Sequence, residues 1–390
     1  MLRARRFWPQ NGAATPVPAL DGLRALAVLL TIVAHAWFFF PDIGNTAPGD
    51  IPIFYTHTGV HLFFVLSGFL LFQPYARWIA RNDRQPSART FYLRRLRRIA
   101  PAYWATLIIL ALLLAPPTFA TAGNVALHIV WLHNLIPGLF DSINPVFWTM
   151  AVEVQFYAIL PLCASTLHPL VRRLGLWPAA TLFFGALFLV SIADATLLTL
   201  FPNAPRIPVI GTFVVGTSGL PYWLGVFACG MCLRMLTEMM VLRGTALAGY
   251  SALTGAVVLA VSVIVMPVLH HTMIGDFLFG LVYAALVYAV LSLPWLTRPF
   301  SWKPLRFIGL ISYSLYLWHF IIMRLLDISL LGQVRTVPLH VLLGSLLGIV
   351  VGVPFAYVWY QIVERPFLTP RSSRLLELER VPAIAIANRD

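Results

Sequence analysis

Ten apolar stretches recur along this chain, and they decide what it can fold into. They lie at 20–40, 57–76, 99–115, 146–167, 177–201, 219–236, 245–268, 272–293, 306–326 and 338–362. A helix needs roughly 20 apolar residues to cross about 30 Å of hydrocarbon, where every backbone polar group must be satisfied within the protein. With 59% hydrophobic and 11% charged residues and a mean hydropathy of +0.83, most of the surface must face lipid. The expectation is an all-α integral membrane protein, a bundle of about ten transmembrane helices. It divides into a basic tail at 1–19, a membrane domain at 20–368 and a second tail at 369–390.

The charges orient this bundle. If the N-terminus is cytoplasmic, only Arg206, Arg324 and Arg335 of the 27 basic residues fall on the outer side. That bias matches the positive-inside rule for an even number of spans, with both termini cytoplasmic in a cytoplasmic (inner) membrane. The net charge of +13 then reports topology and attraction to anionic headgroups, and no nucleic-acid partner is expected. The first 20 residues hold no apolar core, so they read as a tail and not as a cleavable signal. No soluble appendage is expected after the last span.

Little else in the composition points to chemistry. Cys163, Cys229 and Cys232 all fall inside predicted spans, so a disulfide framework is not expected, and "CGMC" reads as small-residue packing. No phosphate loop or zinc signature is present, so neither a metal nor a bound cofactor is expected, and "LSGF" around Ser67 is not a nucleophile elbow.

Ionisable residues inside the spans are the exceptions that carry function or structure. Arg24 and His35 are eleven residues apart, which on a helix is roughly 16 Å and within about 20° of one face. One would sit near the entrance and one deep inside. His35 alone is equally a neutral ring hydrogen-bonded to a neighbouring helix. In the topology above, His35, Glu153 and His319 fall at a similar level in the outer half of the membrane, which suggests a polar cavity. Ser312, Tyr316 and His319 share a helix face that would line it or bond between helices. His57, His61, Asp194, Asp276 and the pair Arg324 and Asp327 read as structure or as the lining of an outer vestibule. Trp37, Trp131, Trp148 and Phe147 are stacking candidates, though interfacial aromatic belts give the same pattern. On the inner side, Arg94, Arg95, Arg97 and Arg98 precede the third span, where a helical start would present clustered guanidiniums suited to phosphate or to topology anchoring.

Together these motifs resemble the acyltransferase-3 family. "LDGLRALAVLLTIVAH", "GVHLFFVLSGFLL", "FYLRRLRRIAPAYW", "FWTMAVEVQFYAILPL", "LGLISYSLYLWHF" and "ERPF" occur in the family's order over about residues 18 to 368. The resemblance implies an integral membrane O-acyltransferase that moves an acyl group, most often acetyl, from cytoplasmic acyl-CoA to a hydroxyl of an extracytoplasmic or lipid-linked carbohydrate. It implies that Arg24 and His35 are the family's functional pair and that Arg94, Arg95, Arg97 and Arg98 meet the acyl-CoA. Glu153 matches the family's acidic residue in the fourth span, and Val154 stands where a second acidic residue is usual. On that basis His35 is expected as base or acyl carrier with Glu153 as its partner, Arg24 joins the donor site, and Ser312, Tyr316, His319 and Trp148 are cavity or acceptor candidates. A transporter or flippase of a lipid-linked sugar is the rival reading, because intramembrane histidine and carboxylate groups also couple to protons.

Overall fold

A computed structural model of the chain describes residues 17–39, 55–114, 118, 120–136, 138–200, 219–243, 273–331, 334 and 336–368. All regular structure among them is helical. In chain order the helices are α1 (Pro18–Phe38), α2 (Gly59–Leu71), α3 (Gln73–Arg81), α4 (Ala88–Leu113), α5 (Ala122–Ile129), α6 (Phe147–Leu174) and α7 (Leu176–Leu200). They continue as α8 (Leu220–Arg243), α9 (Met273–Ser292), α10 (Pro294–Phe300), α11 (Lys303–Leu310), α12 (Ser312–Leu326), α13 (Val337–Trp359) and α14 (Arg365–Leu368).

Eight of the described helices are long and apolar enough to cross a membrane, and the bent pair α2 and α3 makes nine if counted as one span. Nine of the ten predicted stretches therefore have a helical counterpart, while 245–268 lies outside the described residues. Most of 1–19 and all of 369–390 lie outside them too. Leu112, Leu189, Val350 and Ile362 are among the many apolar side chains left on the outer surface, as lipid contact requires.

Two expected spans differ in detail. The stretch at 57–76 is two helices meeting at 44°, because Pro74 stands at the start of α3 and cannot donate to the preceding turn. The stretch at 306–326 is split at Ile311 into α11 and α12. There α11 packs backbone to backbone across the start of α1, with Gly309 against the carbonyl of Asp21.

The site lies where α1, α2, α6 and α12 converge. Small residues allow such close approach without a hydrophobic drive between helices. A Cβ at Gly68 would strike the carbonyl of Phe227, and one at Gly230 would strike that of Val65, so α2 and α8 cross at backbone contact. Gly230 belongs to the "CGMC" stretch, whose cysteines are free and hold no metal cluster among the described residues. At the foot of this crossing, buried Glu238 accepts from Arg81 at 2.6 Å and is bonded by Arg234, tying α3 to α8.

Candidate active site: two cavities that share a wall

Ser87 caps α4 by accepting from the Thr90 N–H at 3.3 Å, so the arginine run lies on the helix itself and not before it. Helical spacing then divides the run: Arg95 and Arg98 turn into a cavity, Arg94 is exposed, and Arg97 is half-buried away from the lining. This cavity, of about 120 Å³, is also lined by Arg24, Ser67, Glu153, Tyr157, Ser312 and Tyr313. Three guanidiniums face one carboxylate in the lining, so the space favours an anion.

Two of its polar contacts involve residues outside the candidate set that the sequence offers. Ser67 donates to Glu153 at 2.6 Å, and Arg98 is 2.6 Å from Glu364, which is 1% exposed and also accepts from Ser314 at 2.7 Å. An acidic residue at the end of an apolar stretch was the available signal for Glu364, which opens the "ERPF" motif. Glu153, expected beside His35, is bonded to Ser67 in the arginine cavity instead.

A second cavity of about 340 Å³ holds His35, His57, His61, Trp148, Tyr222, Trp223 and Asp276. That size is within the range of small-molecule sites. Tyr316 and Thr149 line both cavities, and their side-chain oxygens are 2.8 Å apart. Since Thr149 donates its proton to the Val146 carbonyl at 2.8 Å, the bond in the shared wall runs from Tyr316 to Thr149. Val60 lines both cavities as well, so the polar part of the wall is one phenol on one hydroxyl.

The partner of His35 is His319, with Nδ1 of His35 and Nε2 of His319 2.9 Å apart. Nδ1 of His319 is 2.7 Å from the Tyr316 carbonyl. A carbonyl only accepts, so His319 Nδ1 carries the proton and its Nε2 accepts from His35 Nδ1. This leaves the lone pair of His35 on Nε2, the tautomer of a general base. His319 is itself fully buried behind His35 and does not line the cavity.

The remaining sequence candidates sort by burial. Ser312 lines the arginine cavity, Tyr316 the shared wall, and Trp148 the histidine cavity, where it packs 5.8 Å from Trp223. Trp131 and Phe147 are core residues packed against Tyr103, and Trp37 lines neither cavity, so none of these three offers a face to a ligand there. Asp327 lies 3.3 Å from His340 rather than pairing with Arg324, and Asp194 is buried on α7. His57, His61 and Asp276 prove to be lining of the same cavity as His35.

The family described as "Acyltransferase domain", acyltransferase-3, matches residues 17–359. The chain belongs to the acyltransferase-3 family. Every residue lining the two cavities falls inside the matched region, and Glu364, which meets Arg98, lies beyond it. Among similar proteins, the exopolysaccharide production protein ExoZ of Rhizobium meliloti is 31% identical, over 80% of this chain and 89% of its own length. YrhL of Bacillus subtilis is 27% identical over 90% of this chain and 55% of its own length. The peptidoglycan O-acetyltransferase OatA of Listeria monocytogenes is 30% identical over 37% of this chain and 24% of its own length. The chain thus spans about half the length of YrhL and less of OatA. No solved structure matches the chain.

Proposed function

We propose that this protein transfers an acetyl group from acyl-CoA to a hydroxyl of an envelope or exported carbohydrate. The observation that carries the reading is the wall between the cavities: an anion-favouring arginine space and a histidine space with an oriented base are separated by the Tyr316 to Thr149 hydrogen bond. The names of the acetyltransferase OatA and of ExoZ support a saccharide acceptor. The charge bias of the sequence supports a cytoplasmic arginine end and a location in the cytoplasmic membrane.

In this reading the phosphates of acyl-CoA rest on Arg95 and Arg98 with Arg24 deeper, and the thin pantetheine arm runs through the narrow arginine cavity to Tyr316. Arginine suits this task because its planar donors match phosphate oxygens in pairs. The acceptor hydroxyl enters the histidine cavity and gives its proton to Nε2 of His35. Its oxygen bonds to the thioester carbonyl carbon, the C–S bond breaks, and the CoA thiolate leaves and takes up the proton. Tyr316 is placed to donate to the developing oxyanion once it releases Thr149. Glu153 limits the positive charge around Arg24 and Arg95.

The test is mass spectrometry of envelope glycans and secreted saccharides from cells with and without the protein, paired with acetyl-CoA consumption by purified protein in nanodiscs. An acetyl mass that disappears with the gene, and CoA release that needs the acceptor, is the expected result. Saccharide movement without CoA release would replace the enzyme with a transporter.

A further inference from the structure

The histidine cavity holds two further imidazoles, His57 and His61, that the reaction above leaves idle. His61, on α2, is 1% exposed and its Nε2 is 2.8 Å from Asp276 Oδ1. Tyr222 donates to the other carboxylate oxygen at 2.5 Å. Asp276 therefore holds an N–H on His61 Nε2 and, in the neutral ring, places the lone pair on Nδ1. That nitrogen is buried with no hydrogen-bond partner among the described residues, although the ring lines the same cavity as His35.

An orphaned nitrogen in such a place costs free energy unless something bonds to it. Three elements, α2, α8 and α9, each supply one member of the His61, Tyr222 and Asp276 set, which pins the ring. Trp148 and Trp223 form aromatic walls of the same space, and an aromatic face packs well on the apolar face of a sugar ring. A partner offering several hydroxyls on one small ring could reach His35 and His61 together.

We propose that His61, held by Asp276 and Tyr222, is the positioning residue for the acceptor: its Nδ1 accepts from a second hydroxyl of the saccharide, near the one that loses its proton to His35. This rests on the acyl-transfer reading for the role of His35, but the binding step it describes needs no acyl donor. It makes the cavity selective, because a site built around a hydroxyl discriminates strongly against an analogue that lacks it.

Two substitutions separate positioning from bracing. His61→Gln retains an amide N–H near the place of Nε2, toward Asp276, and loses the acceptor at Nδ1. His61→Asn does the reverse. Binding of β-linked disaccharides of glucose and of N-acetylglucosamine, and of their monodeoxy analogues, is measured by saturation-transfer NMR on the full chain in nanodiscs without acyl-CoA. The expected result is saccharide binding by the wild type, at least tenfold weaker in His61→Gln and within about threefold of wild type in His61→Asn. One deoxy position should cost the wild type as much as the Gln substitution. The opposite order, with Gln benign and Asn damaging, would make His61 a brace for Asp276 and overturn the proposal, as would a wild type that binds none of the disaccharides. Failure of the acyl-transfer reading shows separately, as absent CoA release from acetyl-CoA.

Discussion

His319 holds the lone pair of His35 on Nε2: its own Nε2 lies 2.9 Å from His35 Nδ1, and its Nδ1 is committed to the Tyr316 carbonyl at 2.7 Å. The direction of every proton in this chain follows from one backbone oxygen that cannot donate. It also puts the ring beside Phe320, 5.1 Å away edge-on, which limits rotation. One histidine fixes tautomer and aim, and in the proposed reaction the other meets the substrate.

His35→Ala is expected to leave a folded, membrane-inserted protein with acetyl transfer reduced roughly 10²-fold or more, the scale of a lost general base. His319→Phe keeps the ring volume and removes the acceptor, so transfer should fall at least tenfold while saccharide and CoA affinities hold. Initial rates of CoA release alongside both binding constants check this. Full turnover in His319→Phe would remove the relay.

The arginines are expected to divide as the helix divides them. Replacing Arg95 and Arg98 together by Lys keeps the charge and loses the planar fork, and should raise the acetyl-CoA KM about tenfold, or about 1.4 kcal/mol. Arg94→Lys, on the exposed face, should change nothing. Calorimetric titration with CoA and with its dephosphorylated analogues reads both effects.

Glu153→Gln should cost less than His35→Ala, because Glu153 touches Ser67 and not His35. Equal losses would join the two residues into one unit. Glu364→Ala should act first on stability: it strips Arg98 and Ser314 of a buried carboxylate, a change on the order of 3 kcal/mol. A lowered melting temperature in nanodiscs is the readout.

A pH dependence of stability is built into the segment before α6. His128 and His133 stack at 3.7 Å and are fully buried. Burial pushes His128 down to about 4, and burial with the neighbouring imidazole pushes His133 down to about 2. The unfolded chain takes up protons near pH 6.5 that the folded chain refuses, so stability present above that pH is lost as pH falls toward 4 and below. The slope should approach about 1.4 kcal/mol per pH unit for each ring. Melting curves from pH 7 to 5 should show it, with about half the slope in His133→Phe.

The helices were legible because lipid imposes a length and a polarity on each segment independently of its neighbours. Thus nine predicted stretches meet helices, and Arg24 and His35, placed on one stripe by helical spacing alone, line the two adjoining cavities. The bend at Gln73 and Pro74 was also written locally, in a proline, although a hydropathy average passes over it.

Pairing between distant segments was beyond the reach of local periodicity. The sequence by itself determined that the chain is a helical membrane bundle, that its arginines gather at one end of a helix, and that ionisable groups sit inside the spans. Only the tertiary structure decided that His35 bonds to His319 and not to Glu153, that Arg98 meets Glu364, and that His61, Tyr222 and Asp276 converge. The physical reason is range: helix formation and membrane burial act through neighbours in sequence, whereas a hydrogen bond needs atoms within about 3 Å. Which helix faces bring such atoms together depends on backbone contacts such as those of Gly68 and Gly230, made across the whole fold.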